Sequence, residues 1–376
     1  KCKTLMKVFA ILFLGALAFP SFSQRPIQPS DVYRLKSVGS PQVSPDGKWV
    51  AYTVSSPDSA KDKYDTDIWM VGWDGKENIR LTASPESEGT PRWSPDGKYI
   101  TFLSSRYDAK SSQVWKMDRR GGEAVLLTGL KVDISDYEWS PDSKKIVLVI
   151  KDQDPAEDEG KKKTKKPIVI DRYHFKADGQ GYLERKREHL YVLDVATQAL
   201  DTLTTGDFDD GSPAWSPDSK QIAFVSNRTP NADRNGNTDI WIMDAKQGAA
   251  PRQLTTWEDA DDAPAWSPDG KSIAYLKSRT PEYDIYDQPQ IAVIAASGGA
   301  PRIISSQVDR DMGAPFWSQD GKSIFTTMAD DRRMHVVSFD ATTGGMKKIT
   351  SGDRVFRSLH RGPGNQWAAL GGDALT

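Results

Sequence analysis

Apolar and polar residues in this chain alternate over short runs, stop at a turn, and alternate again. From Pro264 the order is Pro264-Ala265-Trp266-Ser267-Pro268-Asp269-Gly270-Lys271-Ser272-Ile273-Ala274-Tyr275-Leu276. A period of two on either side of a Pro/Asp/Gly cluster predicts two strands joined by a tight turn. Proline presets φ at the first turn position, aspartate bonds nearby backbone, and glycine takes the left-handed position that follows. Further strands are predicted at Asp67-Ile68-Trp69, Gln113-Val114-Trp115, His189-Leu190-Tyr191, Asp239-Ile240-Trp241 and His335-Val336-Val337. Fourth strands end in Leu81-Thr82, Leu127-Thr128, Leu203-Thr204, Leu254-Thr255, Ile304-Ser305 and Ile349-Thr350.

The turn tetrapeptide recurs. SPDG or its variants SPDS and SQDG begin at Ser44, Ser94, Ser140, Ser216, Ser267 and Ser318, separated by 50, 46, 76, 51 and 51 residues. A repeat of that period with four strands per unit is the pattern of propeller blades. Arg361-Gly362-Pro363-Gly364 followed by Trp367-Ala368-Ala369-Leu370 reads as a further, degenerate hairpin. The expected fold is therefore all-β, a seven-bladed β-propeller of four-stranded blades whose seventh blade is incomplete. Ser143 and Ser219 replace the turn glycine, which costs roughly 1 kcal/mol each if the left-handed geometry is kept.

Composition fits one large β domain. Five of the twelve tryptophans, Trp93, Trp139, Trp215, Trp266 and Trp317, sit just before the turn and read as wedges between blades. Net charge is −2 with no basic stripe, so nucleic acid is not an expected partner. The four histidines, His174, His189, His335 and His360, lie in different units without ligand spacing, so neither a metal nor another cofactor is expected. Arg106, Arg228 and Arg279 each close a second strand and read as ion-pair partners within blades, with Asp239 and its equivalents as candidate acids.

Residues 1–23 read as a secretory signal peptide. Lys7 precedes an apolar run, Val8 to Phe19, too short to span a bilayer, and Ser21 and Ser23 precede a cleavage site before Gln24. Met6 is a possible true start. The propeller is expected over 24–376, in the periplasm or outside the cell, with no membrane association after cleavage. The mature chain holds no cysteine, so blade packing alone must stabilise it. Within the enlarged third unit, an insertion at about 152–188 opens with abutting acidic and basic blocks, read as a solvated loop. It continues as the aromatic segment Asp171 to Leu183, read as an extended hairpin.

Two segments carry a specific resemblance. Pro29-Ser30-Asp31-Val32-Tyr33-Arg34-Leu35 before the first turn, and Ile170-Asp171-Arg172-Tyr173-His174-Phe175 through Gly181-Tyr182-Leu183, resemble the N-terminal propeller half of secreted prolyl oligopeptidase-family serine peptidases, of the acylaminoacyl-peptidase and dipeptidyl-peptidase 5-like branch. The resemblance covers the chain from Gln28 onward. It implies a propeller that screens short peptides for a C-terminal α/β-hydrolase domain, expected beyond Thr376. There a serine in a G-x-S-x-G elbow, an aspartate and a histidine do the chemistry. This sequence has no G-x-S-x-G, so no catalytic residue is assigned within it and it is expected to be inactive alone. Two alternatives stay open: a non-enzymatic, TolB-like periplasmic binding propeller, and a propeller whose own channel does chemistry, as in oligogalacturonate lyases. The scattered histidines weigh against the latter.

Acidic residues enter the predicted innermost strands at Glu88, Asp133, Asp136, Asp209, Asp210, Asp261, Asp262, Asp309 and Asp311. On a propeller these positions ring one mouth of the channel. Asp209, Asp210, Asp261 and Asp262 are the substrate-binding candidates, as a negative rim that attracts a peptide α-ammonium group. The competing reading has them capping turns, which is the default for any single residue.

Overall fold

The computed structural model describes residues 25–107, 111–152, 167–178, 181–183, 186–281 and 286–373. The signal-peptide segment and most of the charged run lie outside these residues. Among them stand six four-stranded antiparallel blades, spanning 37–80, 88–126, 134–202, 210–253, 261–303 and 316–348. The first strands of successive blades lie side by side around the axis. They are Ser37–Val43, Glu88–Trp93, Ile134–Trp139, Asp210–Trp215, Asp261–Trp266 and Phe316–Trp317.

The chain is thus an all-β propeller, but with six blades and not the expected seven. The last hairpin, Val355–Arg361 with Trp367–Gly372, founds no sheet of its own. It joins the blade 6 sheet through one parallel bridge, Met334 to Val355. Two strands alone bury too little to stand as a sheet, so the hairpin takes its support from both neighbours. Trp367 packs on Phe316 and Phe325 of blade 6, with ring centroids 4.9 and 4.7 Å away. On the blade 1 side, Val43 N donates to His360 Nδ1 at 3.0 Å and Gln366 Nε2 to the Gly47 carbonyl at 3.0 Å.

The core is distributed between blades. Leu103 and Val114 of blade 2 pack with Tyr137, Trp139 and Leu148 of blade 3, and equivalent clusters fill the next three seams. Second strands are accordingly buried on both faces, as in Lys145–Lys151. In blades 2 to 6 the tryptophan before the turn wedges into its seam and reaches back one blade. Trp93, Trp215, Trp266 and Trp317 donate Nε1 to the carbonyls of Gln42, Glu138, Ala214 and Ala265 at 2.9–3.1 Å. In blade 3, Trp139 instead donates to Thr101 Oγ1, which itself donates to the Arg92 carbonyl.

The turn serine donates to the turn aspartate, 2.7 Å from Ser44 Oγ to Asp46 Oδ1, and that oxygen accepts Lys48 N at 3.1 Å. Ser143 and Ser219 do hold the left-handed geometry, with φ of 62° and 61°. Their hydroxyls accept Asp96 N and Asp142 N, in the preceding blade's turn, at 3.0 and 3.1 Å. The serine therefore recovers, as an inter-blade hydrogen bond, much of what it loses in backbone strain. The closing threonines have a comparable role: Thr82, Thr128, Thr204, Thr255 and Thr350 each accept a third-strand N–H at 2.8–3.0 Å, which extends the ladder by one bond.

Candidate functional site

Proline in a first strand cannot donate to the ladder. In blades 1, 2, 4 and 5 the residue before it, Ser40, Thr90, Ser212 or Ala263, takes φ between 47° and 53°, and the register slips there. The bulge leaves two or three residues ahead of it to form the mouth of the channel. In a strand, successive side chains point to opposite faces, so an acidic doublet at this point sends one carboxylate inward and the other out. Asp210 is buried and Asp209 exposed; Asp261 is buried and Asp262 exposed.

Asp210 is the centre of a buried cluster. Arg228 Nη2 donates to it at 2.8 Å, and His189 Nδ1 lies 3.4 Å away. Burial pushes the Asp210 carboxyl up, but the hydrogen bonds from His189 and Arg228 outweigh it and hold the group below its ordinary value. For His189, burial lowers the pKa while Asp210, Asp152 and Asp209 raise it further, and the net shift is upward. The Arg228 guanidinium lies over Phe208 and Trp241, 4.3 and 4.6 Å from the ring centroids. Asp210 is therefore committed to holding blades 3 and 4 together. Blade 2 repeats the device with Arg106 and Glu88, 2.9 Å apart and both buried. Arg106 and Arg228 thus pair with the first residue of their own inner strand, Arg279 does not, and Asp239 accepts from Gln253 and Thr255 instead.

Asp209, Asp210 and Asp262 line one cavity of about 320 Å³; Asp261 does not. The exposed Asp209 accepts Glu188 N at 3.0 Å and Arg187 Nη1 at 3.2 Å, while Arg187 Nε donates to Asp207 at 2.9 Å. Asp262 accepts the following backbone N–H, from Ala263, at 2.5 Å. Among the other expected rim residues, Asp133 accepts Ser112 N at 2.7 Å, Asp136 pairs with Arg92 at 3.0 Å, and Asp309 lies 3.7 Å from Arg279. The acids are thus divided between buried ion pairs, turn bonds and a local outward cluster at blades 4 and 5. They do not form one continuous ring.

Sequence reasoning missed what covers this cavity. Asp233, in the loop between the second and third strands of blade 4, accepts Tyr173 N, His174 N at 3.0 Å, and the Arg172 guanidinium at 3.0 and 3.1 Å. These bonds hold the Asp233 carboxyl below its ordinary range despite partial burial. They also pin the blade 3 insertion over blade 4, so that Arg172 and His174 line the cavity with Asp207 and Asp209. Beyond the pin, the insertion forms a short hairpin, Lys176–Ala177 with Gly181–Tyr182. Chemically the cavity is a partly neutralised acidic pocket: Asp207, Asp209 and Asp262 face solvent, and Arg187 offsets part of their charge. Such a site attracts a compact cation.

The profile of the PD40 family, TolB beta propeller domain, matches residues 33–169 and 148–355. Dipeptidyl-peptidase 5 of Porphyromonas gingivalis is 26% identical over 355 residues, which are 88% of this chain and 50% of that protein. The uncharacterized peptidase YuxL of Bacillus subtilis is 30% identical over 221 residues, 58% of this chain and 34% of that one. Among solved structures, the uncomplexed acylaminoacyl peptidase of Pyrococcus horikoshii superposes with a TM-score of 0.69 at 16% identity, over 90% of this chain and 50% of that chain. The chain spans half or less of the length of these relatives.

Proposed function

The chain belongs to the TolB β-propeller family, and we propose that it is the substrate-gating propeller of a secreted serine peptidase that hydrolyses short peptides, with a hydrolase domain as its covalent partner. The observation that carries this reading is the covered acidic cavity. The blade 3 insertion is fastened by Asp233, through Arg172, Tyr173 and His174, above the outward carboxylates of blades 4 and 5. A roof narrows access, and the carboxylates favour a free α-ammonium group. Peptides with an unblocked N-terminus are therefore the proposed substrates. Export to the periplasm or medium rests on the charged start, the apolar run Val8 to Phe19 and the small residues at Ser21 and Ser23.

The test uses the protein carrying its hydrolase domain. Replacing Asp209 and Asp262 together with asparagine should raise KM several-fold for peptides with a free amine and leave KM for N-acetylated peptides unchanged. Equal effects on both substrate sets would reduce the two carboxylates to local turn bonding. N-terminal sequencing of the exported protein tests the address, with Gln24 the expected first residue.

A further inference from the structure

A second cavity, of about 380 Å³, is lined by the far ends of the inner strands of blades 1–3 and by the last hairpin, whereas the acidic one lies at the starts of the inner strands of blades 4 and 5. Gln42, Arg92, Glu138, Gln319, His360 and Arg361 supply its polar lining. Its hydrogen-bonding capacity is unbalanced. His360 Nδ1 accepts the Val43 N–H at 3.0 Å, which fixes the neutral tautomer with its proton on Nε2. That Nε2–H has no acceptor among the described residues. Burial, with Arg92 and Arg361 nearby, pushes the His360 pKa down to about 4, so the ring stays neutral. Arg92 gives Nη2 to Asp136 at 3.0 Å, and its buried Nε has no partner among the described residues. Arg361 gives Nη1 to the Trp317 carbonyl at 2.9 Å. A guanidinium carries five N–H donors, so both arginines have donors to spare.

Among the described residues, only one carboxyl lines the cavity. Glu138 accepts no hydrogen bond from the described residues, and burial, opposed by Arg92 and reinforced by Asp136, raises its pKa to about 7. Near neutrality it is half protonated and can itself donate. The charged groups acting on it are Arg92 and Asp136, and Arg361 and neutral His360 share its cavity lining. With Glu138 protonated, the two guanidiniums outweigh Asp136 by one charge. The cavity therefore suits one negative charge, and a dianion would leave an excess buried beside Asp136.

We propose that this cavity is a binding site for a small monocarboxylate, held by Arg361 and Arg92 and by the His360 Nε2–H, with Glu138 beside them. Planar guanidinium matches the two oxygens of a carboxylate, and the cavity volume admits a group the size of a peptide's C-terminal residue. The site is independent of the acidic cavity and of any hydrolase chemistry.

Calorimetric titration of the full chain tests this at pH 6 and pH 8 with acetate, N-acetylglycine and N-acetylglycinamide. The two acids should bind, and the amide should bind at least tenfold more weakly. Tighter binding of N-acetylglycine than of acetate identifies a peptide C-terminus as the ligand, and equal binding a simple organic acid. Affinity should fall as pH rises, by up to tenfold per pH unit above the Glu138 pKa. Glu138→Gln should remove that dependence. His360→Asn, whose side-chain oxygen can still accept from Val43 N but which places no donor at the Nε2 position, should weaken the acids about tenfold. Absence of acid binding, equal binding of acid and amide by the unaltered chain, or affinities unchanged in both variants would overturn the proposal.

Discussion

Replacing Asp261 with asparagine should stabilise the propeller at neutral pH and above, although it removes a buried charged group. Asp261 opens the inner strand of blade 5 and is 1% exposed, yet neither carboxylate oxygen has a hydrogen-bond donor among the described residues. In blades 2 and 4 the equivalent acid receives an arginine. In blade 5 that arginine, Arg279, turns away and donates to the carbonyls of Gln288 and Val308 at 2.9 and 2.6 Å. Burial, opposed by Lys277 and reinforced by Asp239 and Asp259, raises the Asp261 pKa from 3.8 to about 7. Between these two values the folded chain binds more protons than the unfolded one. Stability therefore falls as pH rises from about 4 to about 7 and is level above. At about 1.4 kcal/mol per pKa unit the full penalty is on the order of 4 kcal/mol. Asparagine carries no charge at any pH. Urea unfolding of both proteins at pH 4.5, 6 and 8 should show the variant gaining on the parent by up to about 4 kcal/mol across that window. Contributions from other titrating groups largely cancel in the difference. Parallel pH profiles, or a variant less stable at pH 8, would refute the reasoning.

Three further outcomes are expected. Ser219→Ala keeps the left-handed strain and loses the bond to Asp142 N, so it should destabilise by about 1 kcal/mol, whereas Ser219→Gly loses the bond but relieves the strain and should be nearly neutral in the same unfolding assay. Asp210→Asn leaves Arg228 and His189 without their buried counter-charge and should cost about 3–5 kcal/mol near pH 5.5. The Asp210 contribution is lost as pH falls below its depressed folded value and that of His189 as pH rises through its raised one, so the deficit should shrink at both extremes. Asp233→Ala should abolish slow hydrogen exchange at the Tyr173 and His174 amides while shifting global stability little, and unchanged protection there would show that the roof is held by something else.

The repeat was legible because it is local. Alternation, the S-P-D-G turn and the L-T strand ends act within a blade, over contacts a few residues apart, and they predicted the four-stranded unit and the wedge position of Trp93, Trp139, Trp215, Trp266 and Trp317 without reference to neighbours. The acidic doublets were legible too, as residue types at the mouth. Which carboxylate of each doublet is buried follows from the strand period and the bulge before proline, and the bulge shows up only in the register.

Blade number, ion pairing and the site itself were decided by tertiary structure. The sequence motif of the last hairpin resembles the others, but membership of a sheet depends on which edge its backbone finds, and Val355 finds Met334. The arginines close equivalent strands in blades 2, 4 and 5, yet Arg279 leaves Asp261 unpaired because carbonyls of Gln288 and Val308 lie within its reach. Asp233 and the Tyr173 amide are 60 residues apart in the chain and meet only because blades 3 and 4 are neighbours. Sequence alone determined the repeating unit, since its interactions are short-ranged and recur. Charge neutralisation, cavity lining and the roof over the acidic pocket belong to the seams between units, where distant residues meet only after the ring has assembled.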